Sequence, residues 1–186
     1  MKIILASNSP RRKELLSGLD IDFEVKVLDG IDESYPSSLP TTQIAEYIST
    51  KKASAYKPAD DELIITADTI VVVDDEVLGK PKDEADATRM LSLLSGRTHQ
   101  VITGVCMKTK EKESHFSVIT DVTFKTFTHD EILYYIHTYK PFDKAGAYGI
   151  QEWIGYIGCT GMRGSYFNVM GLPVQRIYEE LKKFNS

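Results

Sequence analysis

The hydrophobic and polar positions along the chain alternate between short apolar runs and longer amphipathic stretches. The apolar run over residues 3–6 is bounded by turn residues and is too short for a helix, which predicts a buried strand. Ser9 suits the N-cap of a helix and Pro10 its first position, and the leucines that follow supply an apolar helix face. The chain is therefore predicted to open as strand, polar turn and helix.

The later part of the chain shows a different pattern, in which strands pair directly with one another. Alternating apolar residues predict a strand over residues 98–108 and a second strand after a charged turn. A capping box at Thr128 predicts the next helix, and residues 155–164 are typical of a glycine-rich loop. An amphipathic helix is expected from Pro173, with Tyr178 on its buried face.

Together these elements predict an α/β fold with a mixed, bent sheet flanked by helices, in two lobes with a central cleft. A chain of 186 residues can bury a substantial core, so residues 1–186 are expected to form a single domain. The polar residues considered below would have to line that cleft.

The composition excludes several classes of protein. The chain carries 27 acidic and 22 basic side chains, and its net charge of −5 argues against binding to nucleic-acid polymers, which needs a large basic surface. The two cysteines lie far apart, and the four histidines show no zinc-ligand spacing. No signal peptide and no apolar run long enough to span a membrane are found, so a cytoplasmic protein is expected.

Four polar residues crowd the turn between the first strand and the first helix, namely Ser7, Ser9, Arg11 and Arg12. The unpaired N–H groups and the dipole of a helix N-terminus favour an anion, so this turn is predicted to bind phosphate. Neighbouring helix residues point about 100° apart, so one arginine is expected to meet phosphate while the other braces a carboxylate or the turn. The alternative is an ordinary capped helix with exposed arginines.

Three further charged residues have two interpretations each. Glu33 lies in a loop, where a glutamate is either solvated or part of a site. Lys52 interrupts the apolar stripe of a helix that Thr41 or Thr42 caps, so its side chain either reaches the rim of the core or points into a pocket. Asp68 ends a buried apolar strand, a position where sheet-based enzymes often place chemistry, although an aspartate that only caps a turn fits equally.

A second stretch of interest covers residues 143–151, where small residues and glycines stand among Asp143, Lys144 and Gln151. Glycine lets the backbone approach a ligand closely, and the alternative is a tight packing corner. Lys80 stands between a glycine and a proline. This is not a Walker phosphate loop, because the upstream glycine spacing and a following Ser or Thr are both missing.

Eight motifs in one order make the chain resemble the Maf family, the septum-formation-inhibitor-like nucleotide pyrophosphatases. They are Ser7-Asn8-Ser9-Pro10-Arg11-Arg12, Glu33, Lys52-Ala53, Ala67-Asp68-Thr69, Gly79-Lys80-Pro81, Ser95-Gly96-Arg97-Thr98-His99 with Thr103-Gly104, residues 143–151, and Gly164-Ser165-Tyr166 with Asn168 and Gly171-Leu172-Pro173. Each motif alone is weak evidence. Eight in the order of the family are highly specific, and they span nearly the whole chain.

The resemblance implies hydrolysis of a nucleoside triphosphate between its α and β phosphates, giving the monophosphate and pyrophosphate with the help of a divalent cation. It also implies an elongated sheet related to the inosine-triphosphate pyrophosphatase fold, and a homodimer. By position, Asp68 matches the catalytic base of the family. Arg11, Thr69 and Gln151 match the positions associated with substrate choice in the branch that prefers dTTP and UTP.

A bound triphosphate carries close to four negative charges, so the site must supply cations and hydrogen-bond donors. The residues expected to hold the phosphates, besides Arg11, are Ser7, Ser9, Arg12, Lys52 and Lys80. Glu33 and Asp68 are the candidates to bind Mg²⁺ or Mn²⁺. Asp68 is also expected to deprotonate the attacking water.

Two differences from the family leave the base preference open. Glu152 stands where the family usually has glycine, and Tyr139-Lys140 replaces a more usual Gly-Glu. One alternative function is therefore that of the family branch that prefers 7-methyl-GTP. Another, from a different class, is a nucleotide-binding regulator of cell division or growth without catalysis.

Overall fold

The computed structural model of the protein describes residues 1–184. Its strands are β1 (Lys2–Leu5), β2 (Phe23–Val25), β3 (Glu62–Val73), β4 (Glu76–Leu78), β5 (Thr98–Lys108), β6 (Glu113–Phe124) and β7 (Cys159–Arg163). Its α-helices are α1 (Pro10–Ser17), α2 (Thr41–Ser54), α3 (Glu84–Leu94), α4 (His129–Tyr139), α5 (Trp153–Gly158), α6 (Tyr166–Met170) and α7 (Val174–Phe184). Two 3₁₀ turns cover Pro141–Asp143 and Ala145–Ala147. None of the helices in this described part is long and apolar enough to cross a membrane.

One mixed sheet contains all of these strands. Its order is β2-β1-β3-β5-β6-β7, and β4 pairs with β3. β1 runs parallel to both neighbours, with Ile3 opposite Phe23 on one side and Leu63 on the other. β4 and β7 pair antiparallel with β3 and β6. The predicted mixed α/β architecture is confirmed, whereas the bend of the sheet and the central cleft stay predictions.

The chain divides into two compact units. The first contains Met1–Thr69, Thr103–Val118 and the chain from Gly171 onward, and the second contains Ile70–Ile102 and Ile119–Met170. β3, β5 and β6 each contribute residues to both units. Two units agree with the two lobes predicted from the pattern, and the single domain over residues 1–186 stays a prediction.

In the first unit, α2 packs directly on the sheet. Gly104 of β5 lies so close to the α2 backbone at Ala45 and Glu46 that a Cβ at this position would overlap it. The Thr66 hydroxyl of β3 donates a hydrogen bond of 2.7 Å to the Ser49 carbonyl of α2. These contacts fix the register of α2 against β3 and thereby the position of Lys52.

In the second unit, helices α3, α4 and α5 bury their apolar residues together with those of the sheet strands. The cluster includes Leu91 and Leu94 of α3, Ile136 of α4, Ile154 of α5 and Phe124 of β6. The capping box at Thr128 forms with Glu131 as predicted, and the Asp83 side chain accepts the backbone N–H of Asp86 at the start of α3.

The predicted start of α2 is wrong by one residue. Pro40 occupies its N-cap position without a side-chain hydrogen bond, so Thr41 and Thr42 are helical and neither caps the helix. The fixed φ of proline suits a helix start, and its missing N–H would have had no partner there.

The predicted end of the central strand at Asp68 is also wrong. β3 continues to Val73, because β1 pairs with its first residues and β4 with its last, while β5 is its neighbour in the sheet order. Asp68 therefore lies within a strand, and the turn-cap interpretation does not apply to it.

Residues 155–164, predicted as a glycine-rich loop, form the end of α5 and β7 instead. The glycines serve close packing: a Cβ on Gly155 would overlap the Ile150 carbonyl, and a Cβ on Gly158 would overlap the Phe127 ring. The residue that excludes a side chain at Gly158 lies far away in the sequence, and the one at Gly155 lies five residues earlier. Composition alone does not reveal either contact.

The predicted buried face of α7 is wrong at one position. Tyr178 is 46% exposed, whereas Glu180 is only 3% exposed. The Glu180 carboxylate accepts hydrogen bonds from Lys183 at 2.8 Å, Arg176 at 3.0 Å and Ser114 at 3.1 Å. Three donors compensate the burial of this charge, which otherwise would be costly.

Candidate functional site

The turn between β1 and α1 has the predicted form of a helix N-terminus. The Ser9 side chain accepts the backbone N–H of Arg12, and the Ser7 hydroxyl accepts the backbone N–H of Ser9 at 3.2 Å. A serine hydroxyl that accepts one hydrogen bond still has a proton to donate. Both serines therefore order the turn and keep a donor for an anion.

Arg12 is the arginine that braces the turn. Its Nε donates to the Gly171 carbonyl at 2.8 Å, and its two terminal nitrogens donate to the Ala67 carbonyl and the Thr69 hydroxyl at 3.0 Å each. These contacts tie α1 to the middle of β3 and to the chain just before α7. With three donors used on the protein, the assignment of Arg12 to phosphate binding stays a prediction.

Lys52 points into the site and not to the rim of the core. Its Nζ lies 2.8 Å from Asp68 Oδ1 and 3.0 Å from Glu33 Oε1. The side chains of Lys52 and Asp68 are only 16% and 15% exposed, whereas Glu33 is largely exposed. The structure thus brings together three residues that the sequence pattern left ambiguous.

The charges of this group also act on Arg12. Burial lowers the pKa of the Arg12 guanidinium, and the nearby negative charges of Asp68 and Glu33 partly oppose that shift. The positive charge of Arg11 acts in the same direction as burial. The charges of both carboxylates and of Arg11 therefore all act on the Arg12 guanidinium.

Thr69 and Asp68 have different partners, as expected for successive residues of a strand. The Thr69 hydroxyl contacts Arg12 and lies 2.9 Å from the Thr103 hydroxyl of β5. Its predicted role in substrate choice stays a prediction. The observed contacts of its hydroxyl connect β3 to α1 and to β5.

The donor set at Lys52 is suited to a hard divalent cation brought by phosphates. Glu33 and Asp68 offer carboxylate oxygens, and Mg²⁺ is usually bound through one or two carboxylates together with substrate oxygens. Within residues 1–184, no group of three or more His, Cys, Asp or Glu side chains is placed to hold a metal. The residues present fit a cation that arrives with its substrate.

Gln151 and Lys80 belong to the second unit. Lys80 is exposed, and the carbonyl of the preceding Gly79 accepts the N–H of Gly146 at 3.1 Å. The Gln151 side-chain oxygen is buried and has no hydrogen-bond partner among the described residues. Because buried polar groups are normally paired, this oxygen indicates a missing donor.

The glycines of residues 143–151 form a tight packing corner. Gly146 has a φ of 70°, and a Cβ there would lie 2.9 Å from a Val71 methyl. A Cβ on Gly149 would lie 3.0 Å from Gln151 Nε2 and 2.5 Å from Glu152 Oε1. The stretch is therefore a packing corner, and it also leaves the Gln151 oxygen as an unpaired acceptor that a ligand could use.

Two buried aromatic residues support this corner, and neither was among the predicted site residues. The Tyr135 hydroxyl accepts the N–H of Gly149 at 3.0 Å, and the Tyr148 hydroxyl lies 2.6 Å from His99 Nε2. Burial lowers the pKa of His99 to about 4, so this imidazole is neutral. In the sequence, Tyr135 is typical of a packing residue in an amphipathic helix. His99 and Tyr148 lie in motifs shared with the family, which was the only signal in the sequence for a role of these residues.

Comparisons with known proteins cover nearly the whole chain. A family model described as Maf-like protein matches residues 2–184. The chain is 64% identical over 184 residues to a dTTP/UTP pyrophosphatase of Phocaeicola vulgatus, covering 98% of this chain and 95% of that protein. It is 61% identical over 185 residues to a dTTP/UTP pyrophosphatase of Parabacteroides distasonis, covering 98% and 96%.

Among solved structures, the chain is similar to a nucleoside-triphosphatase / dITP/XTP pyrophosphatase from Mycobacterium abscessus. The sequence identity is 15% and the TM-score 0.45, over 98% of this chain and 95% of that one.

Proposed function

Because the chain belongs to the Maf-like protein family, as its eight motifs predict, we propose that it is a nucleoside triphosphate pyrophosphatase acting on dTTP and UTP. Relatives that are 64% and 61% identical carry the name dTTP/UTP pyrophosphatase. The observation that carries the proposal is the position of Lys52 between Asp68 and Glu33, whose charges act on the Arg12 guanidinium.

The reaction breaks the anhydride bond between the α and β phosphates, and water supplies the new oxygen. Asp68 accepts the proton of the attacking water. Its contact with Lys52 holds the carboxylate in one orientation, so the base need not reorganise when substrate binds. Phosphoryl transfer depends mainly on positioning and charge, and this site needs no cysteine or histidine nucleophile.

The phosphates bind at the turn that begins α1. Arg11 and Arg12 are both assigned to them, since Arg12 gives three of its five N–H donors to the protein and keeps two. Ser7, Ser9 and the helix N-terminus add donors. In the second unit, Lys80 contributes a further positive charge.

Gln151 reads the base. Its unpaired buried oxygen accepts the N3–H of uracil or thymine, and its amide nitrogen donates to the neighbouring carbonyl of the base. This pairing accounts for a preference for bases with a donor beside an acceptor, as in uracil and thymine, over cytosine. Guanine presents the same pattern at N1–H and O6, so activity with 7-methyl-GTP is distinguished by measurement.

Mg²⁺ or Mn²⁺ is the proposed cofactor, and Glu33 and Asp68 are the residues that would hold it. When bound, the cation neutralises charge on the phosphate oxygens. From the family resemblance we also propose a homodimer, and from the charge balance no nucleic-acid polymer as partner. The cytoplasmic location expected from the sequence stays part of the proposal.

Release of pyrophosphate from a panel of dTTP, UTP, CTP, 7-methyl-GTP and ITP tests the proposal. We expect release from dTTP and UTP with Mg²⁺ or Mn²⁺ present, and its loss when EDTA is added. Dominant turnover of 7-methyl-GTP would assign the other branch. Stabilisation of the fold by dTTP without pyrophosphate release would instead support the non-catalytic regulator, and full activity in EDTA would refute the metal.

A further inference from the structure

Glu152 forms a cluster of contacts next to Gln151. Its Oε1 accepts a hydrogen bond from the Tyr135 hydroxyl at 3.0 Å and lies 3.3 Å from Lys144 Nζ. The side chains of Lys144 and Glu152 are 12% and 18% exposed, so the ion pair is largely shielded from water. A glycine, usual at this position in the family that the chain resembles, makes none of these contacts.

The hydroxyl of Tyr135 fixes Glu152 to the backbone that precedes Gln151. It accepts the N–H of Gly149, so its own proton is directed to the Glu152 carboxylate. Burial raises the pKa of Tyr135, so the hydroxyl stays protonated and remains a donor. The Tyr135 hydroxyl thereby connects helix α4 to Gly149 and, through Glu152, to the start of α5.

The same oxygen lies on the amide-nitrogen side of Gln151. Gln151 Nε2 and Glu152 Oε1 both crowd the open face of Gly149, at 3.0 and 2.5 Å from the position of a Cβ. Turning the amide by 180° would bring its oxygen toward the carboxylate, which repels it. Lys144 also lies 3.0 Å from Asp143, so its positive charge is divided between two carboxylates and does not fully neutralise Glu152.

Amide orientation determines which pyrimidine fits. Uracil and thymine present an N3–H donor beside the O4 acceptor, whereas cytosine presents the N3 acceptor beside an amino donor. An amide suits either edge, depending on which of its two groups faces N3. A glutamine that is free to turn therefore discriminates poorly.

We propose that Glu152 is a positioning residue that holds the Gln151 amide in one orientation and so selects uracil and thymine over cytosine. The inference rests on the proposed function, in which Gln151 reads the base. Glu152 acts through its charge and through its connection to Tyr135, and it touches no substrate atom.

The decisive variant is Glu152→Gln, which keeps the size and an acceptor for Tyr135 and removes the charge. We expect the ratio of kcat/KM for UTP to that for CTP to fall about tenfold, equivalent to about 1.4 kcal/mol, mainly through KM. Glu152→Ala should lower the ratio at least as far. A ratio that falls in Glu152→Ala and is preserved in Glu152→Gln would show a packing role and overturn the proposal.

A double-mutant cycle separates positioning from general destabilisation. Once Gln151→Ala has lowered the ratio, Glu152→Gln should cause no further fall, because its effect passes through the missing amide. The control is Glu131→Gln, which weakens the ion pair with Lys125 in the same unit and should leave the ratio unchanged.

The outcomes also distinguish the two proposals. If Gln151→Ala leaves the ratio unchanged, base reading by Gln151 fails, and the role of Glu152 fails with it. If Gln151→Ala lowers the ratio and Glu152→Gln does not, only the positioning role is overturned. Additive effects in the double variant would contradict it as well.

Discussion

The polar side chains of the two units are held in place by different kinds of contact. In the first, Lys52 joins two carboxylates and Arg12 is partly buried with three donors engaged, so formal charges dominate. In the second, the residues around Gln151 are mostly held by neutral hydrogen bonds of buried aromatic side chains, as at Tyr135 and Tyr148. An ion pair that is largely shielded from water also lies there, from Lys144 to Glu152.

Under the proposed function, this contrast corresponds to different tasks of the two units. Charges that are fixed where negative charge develops in a reacting phosphate lower the barrier of the chemical step. Oriented neutral groups in a packed corner recognise a base by its pattern of donors and acceptors. Changes in the first unit should therefore alter kcat most, and changes in the second should alter KM, discrimination or stability.

Removing the base of the first unit has the largest expected effect. Asp68→Asn keeps the size of the side chain and removes its charge, so kcat for dTTP should fall by about 10²–10⁴-fold while KM changes little. The matched control is Asp60→Asn, which breaks an exposed ion pair with Lys110. Undiminished turnover of the Asp68 variant in steady-state kinetics would remove the distinction between the units.

Acidification should act on the second unit through His99. Its pKa is lowered to about 4 in the folded protein, so the unfolded chain binds a proton that the folded one does not below its ordinary pKa. The contribution of neutral His99 to the free energy of unfolding is fully present above that ordinary pKa of about 6.5. The free energy of unfolding decreases by about 3 kcal/mol as the pH falls to about 4.

Urea unfolding at several pH values measures this effect. His99→Gln retains a partner for Tyr148 and cannot titrate, so its free energy of unfolding should depend less on pH over that range. Parallel pH profiles for the variant and the wild type would show that His99 is not buried as a neutral group.

Packing at the glycines has the smallest expected effect of the three. Gly158→Ala overlaps the Phe127 ring and should lower the free energy of unfolding by about 1–3 kcal/mol. Gly161→Ala is the control, since its Cβ would meet only Thr123 at 3.7 Å and should change stability by less than about 0.5 kcal/mol. Equal thermal stability of the two variants would argue against close packing as the reason for these glycines.

Local signals explain which features were predictable. The cap at Ser9 and Pro10 and the capping box at Thr128 each depend on neighbours within one helical turn, and both helix starts form as predicted. The order of the motifs was sufficient to indicate the family, and with it the mixed α/β sheet.

Long-range contacts explain what was missed. Glu180 reads as a solvated helix residue, and its burial depends on Ser114 in a distant strand. The glycines of α5 suggest a loop from composition alone, whereas in the fold Gly158 is packed against the Phe127 ring. Tyr135 becomes part of the site only because its hydroxyl meets Gly149 and Glu152.

The sequence by itself determined the serine-capped turn before α1, the other capped helices and the membership in a family, because these depend on residue type and on spacing along the chain. The tertiary structure decided that Lys52 joins Glu33 and Asp68, that Arg12 braces β3, and that Gln151 keeps an unpaired oxygen. A charged or amide side chain has several possible partners of similar energy. Which of them it finds depends on the packing of strands and helices that lie far apart in the chain.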